Sequence, residues 1–345
     1  MKPLTTPEEV FRVAFGYMAS KALFAGAQLG VFDALADDPR SLEELVLATG
    51  AEERGLSTLL TALVSVGLVE QVEGTHGRFR NAPASQTMLV SGPEGSFADY
   101  CRNQVDRQMY PFLHNLADVL RGVRDTVPFE DYEAWFRDAG EASLYSEAQH
   151  AVSLPTAALL ASAVDLSGCR RLLDVGGGSG AFAITLCRQY PALSASVLDF
   201  ANVTEVGRRF VAEAGLADRI GFLAGNALEV DWPGDQDAVL FSYVSGSVSA
   251  EGVRELYRRA QRALRPGGDV LIHDFMVDDD RSGPPLPALW ALQHAAFTPG
   301  GVALTPGFVT GLLRDCGFED LSVSPFVPGM TRLVRGRRSA DGEPA

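Results

Sequence analysis

A glycine-rich turn between an apolar strand and a helix constrains this chain more than any other feature of its sequence. The apolar run Leu172–Val175 is typical of a buried parallel strand, and four of the next five residues are glycine. Glycine lets the backbone turn sharply and lets a ligand approach without interference from a Cβ atom. The helix expected over 181–190 points its unpaired N–H groups at the same place. The stretch therefore predicts a nucleotide-type binding site.

Two ligand classes fit this turn. Gly176, Gly178 and Ala181 match the G-x-G-x-x-A pattern of a dinucleotide site, and a match of that kind is weak when it stands alone. Asp174 lies two residues before the first glycine. A carboxylate there would repel a pyrophosphate above the turn, but it suits a ligand with an ammonium or sulfonium group. The D-x-G-x-G-x-G pattern resembles the first motif of class I methyltransferases that depend on S-adenosylmethionine (SAM).

Charge and residue spacing argue against several other functions. The net charge of −15 opposes binding to nucleic acid, because neutralising phosphates requires a basic face. The four cysteines lack C-x-x-C spacing, so we expect free thiols in a reducing compartment. The five histidines show no metal-ligand spacing, and we expect no metal site. With no apolar signal region and no run as long as a membrane span, the expected location is the cytoplasm.

The first part of the chain, residues 1–160, is predicted to be mainly helical. A long apolar helical stretch is expected over 7–36, and Ser41 with Glu44 has the spacing of a capping box that opens the next helix. A further helix over 51–66 and two short strands complete a winged-helix pattern, whose functional interpretation would be DNA binding. The helix over 51–66 carries two glutamates and one arginine, which opposes binding to a phosphate backbone. We expect a dimerisation and substrate-lid domain instead.

Strands and helices alternate through residues 161–334. This pattern predicts a parallel sheet covered on both faces, with the ligand at the carboxyl ends of the strands. One strand ends at Asp199, about 20 positions beyond the glycine turn, where an acidic residue commonly holds ribose hydroxyls. Residues 335–345 are predicted to be a disordered tail.

With these elements placed, the chain resembles small-molecule methyltransferases of the plant O-methyltransferase type and bacterial antibiotic-tailoring methyltransferases. It is also similar to bacteriochlorophyll ring C-methyltransferases. The resemblance implies an α/β fold with a Rossmann-like, seven-stranded methyltransferase domain behind a winged-helix-like dimerisation domain. It also implies SAM as cofactor, a small aromatic substrate and a homodimer. The stretches that carry it are 173–180, 198–199, 225–226, 264–268 and 313–318.

The resemblance also assigns a cofactor site. Asp174, Gly176 and Gly178 would border the methionine part of SAM, and Asp199 would accept hydrogen bonds from the ribose. The family usually has Gly-Asp where this chain has Gly225-Asn226, but an asparagine oxygen can still accept from the adenine amino group. The complete expected set is Asp174, Gly176, Gly178, Asp199, Phe200, Asn226, Ala227, Ser242 and Tyr243.

The chain departs from the family at the residue that removes the acceptor proton. Gly246 or Ser247 stands where the family has a histidine-bearing stretch, and neither accepts a proton near neutral pH. The predicted catalytic residues are therefore His294, Asp274 and Tyr243. Of the neighbours His273 and Asp274, alternation along a strand should direct only one into the pocket, and we expect Asp274.

The acceptor pocket is expected to be apolar and aromatic, with Arg102 available to hold a carboxylate. An aromatic amino acid or a phenolic acid would fit such a pocket. Because the usual base is missing, methylation at carbon is favoured over oxygen. O-methylation with a repositioned base and a non-catalytic binding protein stay open as alternatives. The predicted substrate-binding residues are Tyr17, Arg102, Tyr110, Tyr145, Trp290, His294 and Phe297.

Overall fold

A computed structural model describes residues 3–74, 77–92, 96–123, 129, 131–298 and 300–339, with only the backbone of Phe297. The chain forms two compact units, one ending at Pro111 and the other beginning at Phe112. This division falls earlier than the boundary near residue 160 that the sequence suggests. Within the described ranges, none of the helices combines the length and the apolar character needed to cross a membrane.

The N-terminal unit is mainly helical, with one small antiparallel hairpin. Its regular elements are α1 (Pro7–Ala14), α2 (Gly16–Gln28), α3 (Val31–Ala34), α4 (Leu42–Thr49), α5 (Glu53–Ser65), β1 (Val69–Gln71), β2 (Phe79–Asn81), α6 (Pro83–Met88) and a π-helix over Tyr100–Met109. The capping box at Ser41 is confirmed, since Ser41 and Glu44 bond each other's backbone N–H groups. The helical stretch expected over 7–36 consists of three helices. The breaks follow Ala14 and Gln28, and Gly30 takes a left-handed φ of 72°.

The core of this unit lies between α2, α3, α4 and α5. Val31, Leu45, Leu60 and Leu63 are fully buried there. Helix α1, by contrast, buries none of its residues, and a row of large apolar side chains stays half exposed or more on α1 and the start of α2. These side chains are Val10, Phe11, Val13, Phe15, Tyr17 and Met18.

The C-terminal unit is a seven-stranded sheet with helices on both faces, which confirms the predicted fold class. Its elements are α7 (Leu116–Leu120), α8 (Tyr132–Phe136), α9 (Ala139–Ala163), β3 (Arg171–Val175), α10 (Ala181–Gln189), β4 (Ser194–Asp199), α11 (Ala201–Glu213), β5 (Ile220–Ala224), β6 (Gln236–Ser242), α12 (Ala250–Ala263), β7 (Leu264–Phe275), α13 (Pro285–Phe297), α14 (Pro306–Asp315), β8 (Phe318–Pro325) and β9 (Thr331–Arg338). The strand order is β5-β4-β3-β6-β7-β9-β8. The first five strands in this order are parallel, and β9 runs antiparallel to both of its neighbours.

Helix α9 belongs to this unit because it packs on the sheet through α10 and α11. Leu160 is fully buried in the same cluster as Leu172 and Leu186. The hydroxyl of Tyr190 also lies 2.6 Å from the carbonyl oxygen of Val164, just beyond the helix. These contacts explain why the unit starts well before residue 160.

The last strand runs further than the sequence indicates. Strand β9 continues to Arg338, so a tail beginning at residue 335 is placed too early. Arg335 and Arg337 form ion pairs with Asp269 on β7, which tie the end of β9 to its neighbour. Residues 340–345 of the predicted tail lie outside the described part of the chain.

Candidate active site

A cavity of about 350 Å³ opens where the carboxyl ends of β3, β4, β5 and β6 meet. Parallel sheets of this kind bind their ligands at that edge. Helices α8 and α9 complete the wall. The cavity-lining residues include Asp131, Tyr132, Glu133, Phe136, Tyr145, Gln149, Gly176, Gly178, Ser179, Asp199, Phe200, Asn226, Ala227, Ser242, Tyr243 and Val244.

The glycine turn that follows β3 has little room for any other residue. Gly176 and Gly178 take φ angles of 65° and 58°, in the left-handed region that L side chains rarely adopt. A Cβ atom at Gly176 would lie 2.4 Å from Cγ2 of Val244. One at Gly177 would lie 2.6 Å from Cγ of Asp174. Gly176 is therefore required by its backbone conformation and by Val244, Gly178 by its backbone conformation alone, and Gly177 by the packing of Asp174.

Asp174 lies behind the turn rather than in the cavity wall. It is completely buried, and neither of its carboxylate oxygens has a hydrogen-bond partner among the described residues. Burial, together with the nearby charge of Asp199, raises the pKa of Asp174 to about 7. A positively charged group above the turn would stabilise this carboxylate in its ionised form.

Asp199 does line the cavity, at the end of β4. One of its oxygens accepts from the N–H of Gly178 at 2.8 Å, and the other from the N–H of Phe200 at 2.7 Å. Burial raises the pKa of Asp199 to about 6. Each oxygen keeps a further lone pair that can accept from a hydroxyl group. Two carboxylates at a turn without phosphate-binding cations fit a cationic nucleoside better than a pyrophosphate.

The predicted adenine end contains a residue that sequence reasoning missed. Asn226 donates its amide N–H to Glu133 at 2.8 Å, and its amide oxygen accepts from the N–H of Leu228 at 3.0 Å. Phe200 and Ala227 line the same part of the cavity. Glu133 is 93 residues from Asn226 in the chain, so sequence spacing could not have brought it to attention.

Ser242 and Tyr243 end β6 on the opposite side of the glycine turn. Ser242 shares a 2.9 Å hydrogen bond with Nδ1 of His273, and Nε2 of His273 is 3.0 Å from the hydroxyl of Thr331. Tyr243 takes a left-handed φ of 60°, and burial raises the pKa of its phenol. Such a φ is uncommon outside glycine and often marks a functional site.

Asp274 and His294 border a second, much smaller cavity of about 10 Å³. Gly246 lies between them, since a Cβ atom there would be 3.4 Å from Nε2 of His294 and 3.8 Å from Oδ1 of Asp274. Asp274 accepts from the N–H groups of Gly246 and Phe275. Burial raises the pKa of Asp274 to about 7 and lowers the pKa of His294 to about 4.

The remaining predicted acceptor residues are spread over the two units. Tyr145 lines the large cavity, and Trp290 lines the small one. Tyr17, Arg102 and Tyr110 belong to the N-terminal unit, where Arg102 donates to Asp99 and Ser91. These three remain predictions for the acceptor. The side chain of Phe297 lies outside the described part of the structure.

Besides the predicted Tyr145, helix α9 supplies cavity residues that the sequence analysis did not single out, Gln149 and Ser153 among them. Tyr145, Gln149 and Ser153 line the cavity at four-residue spacing, which places them on one helical face. On the same helix, Nδ1 of His150 lies 2.9 Å from the hydroxyl of Ser179 in the glycine turn. The ring of His150 also stacks on Phe210 at 3.7 Å. The four-residue spacing of Tyr145, Gln149 and Ser153 in the sequence could have indicated that they share one helical face.

Comparison with known proteins identifies the family. The family model described as the O-methyltransferase domain matches residues 113–319. The chain belongs to the O-methyltransferase family. The model of the O-methyltransferase dimerisation domain matches residues 11–91, in the N-terminal unit. This O-methyltransferase is therefore an enzyme that uses SAM, the cofactor of its family.

Relatives of this O-methyltransferase include bacterial and animal methyltransferases. It is 34% identical to 3-hydroxy-5-methyl-1-naphthoate 3-O-methyltransferase of Streptomyces sahachiroi, over 94% of this chain and 93% of that one. It is 28% identical to the tetracenomycin polyketide synthesis 8-O-methyl transferase TcmO of Streptomyces glaucescens, over 96% and 97% of the two chains. The structure of human N-acetylserotonin methyltransferase in complex with SAM superimposes with a TM-score of 0.87 at 26% identity, covering 98% of this chain and all of that one.

The comparisons support part of what the sequence predicted for the reaction. A SAM-dependent methyltransferase of small molecules in secondary metabolism is confirmed. The predicted preference for carbon over oxygen is not supported, because both bacterial relatives are named as O-methyltransferases. Nor do the comparisons support a non-catalytic binding protein. Methylation at carbon and a non-catalytic binding protein were both inferred from the missing histidine at Gly246 or Ser247. The absence of a base does not identify the atom that is methylated.

Proposed function

We propose that this enzyme methylates a hydroxyl group on a small aromatic molecule of secondary metabolism. The observation that carries the proposal is the large cavity, which combines the glycine turn and Asp199 with a wall containing Tyr132, Phe136 and Tyr145. Aromatic side chains of this kind suit flat, apolar ligands. The relative named as a naphthoate O-methyltransferase acts on an aromatic compound, which supports the same acceptor class.

The cavity residues fit SAM through their charges. When bound, SAM supplies an electrophilic methyl group on a positively charged sulfur. Asp199 would accept hydrogen bonds from the ribose hydroxyls, and the buried, unpartnered Asp174 would stabilise positive charge above the glycine turn. Catalysis then depends mainly on holding the acceptor oxygen in line with the methyl group at near-attack distance.

Asp274 is our candidate for the group that accepts the hydroxyl proton. A base works best when its pKa lies near the operating pH, and burial brings the pKa of Asp274 to about 7. The pKa of His294 is lowered to about 4, which makes it a weak base under the same conditions. Both groups border the small cavity rather than the large one, so the acceptor hydroxyl would have to reach Asp274 past Gly246, which has no side chain to block the way. His294 would then position the acceptor as a neutral hydrogen-bonding group.

The test is product analysis with SAM carrying a labelled methyl group and a panel of hydroxynaphthoic and phenolic acids. An O-methyl ether supports the proposal, whereas a methyl group on a ring carbon overturns it. Asp274→Asn should lower kcat by about 100-fold or more and leave affinity for S-adenosylhomocysteine unchanged. Asp280→Asn removes an exposed carboxylate shortly after the same strand and serves as the control. Near wild-type kcat in Asp274→Asn would rule out Asp274 as the base.

The N-terminal unit supports a homodimer. The half-exposed side chains of α1 and α2 form an apolar surface in the segment that matches the dimerisation domain. A surface of this kind usually marks an interaction site. We propose that a second copy of the chain covers it. Light scattering should then give the mass of a dimer, and Phe11→Asp combined with Met18→Asp should give a monomer.

A further inference from the structure

We propose that Glu133 recognises the amino group of the SAM adenine, with Asn226 as its hydrogen-bonded partner. The inference rests on SAM as the cofactor and does not depend on which acceptor atom is methylated. It concerns specificity, because an acceptor at this position distinguishes adenine from purines that carry an oxygen instead of the amino group.

The order of the strands places the base of the ligand near Asn226. The positively charged end of the ligand belongs near Asp174 and Tyr243, where β3 and β6 lie side by side. The ribose belongs at Asp199, at the end of β4. Strand β5 is the next strand outward, and Gly225 follows it directly, with its N–H bonded to the carbonyl oxygen of Asp199. The segment that begins at Gly225 would therefore hold the purine.

Glu133 supplies a carboxylate acceptor in that part of the cavity. The amide oxygen of Asn226 already accepts from the N–H of Leu228, and its amide nitrogen donates to Oε2 of Glu133. These two partners fix the orientation of the amide. The second oxygen of Glu133 lies 4.0 Å from the Arg137 guanidinium, beyond hydrogen-bond distance. A carboxylate has about four acceptor sites, so Glu133 can bind an amino group and keep Asn226.

Within the C-terminal unit, hydrogen bonds fix the short helix that carries Glu133. Asp131 caps helix α8 by accepting from the N–H of Ala134 at 2.8 Å. Asn202 on α11 donates to the carbonyl oxygens of Phe136 and Arg137, at 2.9 Å and 3.0 Å. These bonds fix the position of Glu133 relative to the end of β4.

The pairing requires an amide rather than a carboxylate at position 226. An aspartate there would place a second carboxylate at hydrogen-bond distance from Glu133, and the two charges would repel each other. The negative charge at this end of the cavity is supplied by α8 instead of by the loop after β5.

The test is calorimetric binding of S-adenosylhomocysteine and of S-inosylhomocysteine, in which oxygen replaces the adenine amino group. A site built to bind an amino group rejects such an analogue. The wild-type protein should bind S-adenosylhomocysteine at least about tenfold more tightly. Glu133→Ala should reduce that preference to less than about threefold. Glu229→Ala removes an exposed carboxylate close to Asn226 and should keep the wild-type preference.

A charge exchange tests whether Glu133 and Asn226 act as a pair. Asn226→Asp should weaken binding of S-adenosylhomocysteine about tenfold, because it places two carboxylates together. Asn226→Asp combined with Glu133→Gln should recover most of that loss, since one carboxylate and one amide again face each other. An unchanged preference in Glu133→Ala, or no recovery in the double variant, would overturn the proposal. Both measurements use binding alone, so a failure of the proposed O-methylation would not affect them.

Discussion

Substituting alanine for Gly176 should destabilise the protein through one identifiable contact. Gly176 and Gly178 have nearly the same left-handed backbone, with φ angles of 65° and 58°. A Cβ atom at Gly178 has nothing within 4 Å, whereas one at Gly176 would lie 2.4 Å from Cγ2 of Val244. The two glycines therefore share the backbone cost of alanine and differ in the steric cost.

The expected magnitudes follow from that difference. Forcing alanine into a left-handed conformation costs about 1–2 kcal/mol, and this applies to both variants. The close contact with Val244 adds about 1–3 kcal/mol for Gly176→Ala alone. In the double variant Gly176→Ala/Val244→Ala the contact is gone, so its loss of stability should be smaller than the sum of the two single losses by a similar amount.

Urea unfolding followed by tryptophan fluorescence would measure these free energies for the four proteins and the wild type. Gly178→Ala serves as the matched control for the backbone. Equal losses in Gly176→Ala and Gly178→Ala, or strictly additive losses in the double variant, would refute the argument that Val244 excludes a side chain at position 176.

Three further predictions concern the same unit. Burial raises the pKa of Asp174 to about 7, so the folded state holds more protons than the unfolded chain between about pH 4 and 7. In urea unfolding of the ligand-free protein, the free energy of unfolding should therefore fall as pH rises through that range, and Asp174→Asn should reduce this slope. An unchanged slope in the variant would contradict the assigned pKa. Removing the 2.9 Å hydrogen bond to Ser179 in His150→Ala should weaken binding of S-adenosylhomocysteine about fivefold by calorimetry, and wild-type affinity would show that this bond does not hold the turn. Leu160→Ala should lower the free energy of unfolding in urea by about 2–5 kcal/mol, because Leu160 is fully buried where α9 packs on α10 and α11. A loss below about 1 kcal/mol, close to that of a surface substitution, would argue against that packing.

The elements around the glycine turn were predictable because local and global signals agree there. An apolar run ended by glycine defines β3, and Asp199 ends β4 as expected. The break after Ala14 had no comparable signal, since Phe15 is not a helix breaker and the chain resumes its helix at Gly16. The π-helix over Tyr100–Met109 was also invisible, because helical periodicity does not reveal which hydrogen-bond pattern the backbone adopts.

Apart from Tyr145 on α9, the predicted residues that line the large cavity lie at or just after strand ends. Asp199, Asn226, Ser242 and Tyr243 all lie at or just after strand ends, and all of them line the cavity. Glu133 reaches it from a short helix whose position depends on tertiary hydrogen bonds, which a single sequence does not encode in its spacing. Asp174 shows the opposite case: its motif is plain in the sequence, but packing places it behind the turn.

The buried, unpartnered carboxylate behind the turn affects more than the choice of cofactor. Methyl transfer removes the positive charge from sulfur, so the spent nucleoside leaves Asp174 with one less attractive charge nearby. The enzyme would therefore hold its methyl donor more tightly than the demethylated product at a pH where Asp174 is ionised, and this difference would favour turnover. Below that pH the two nucleosides should bind more nearly alike.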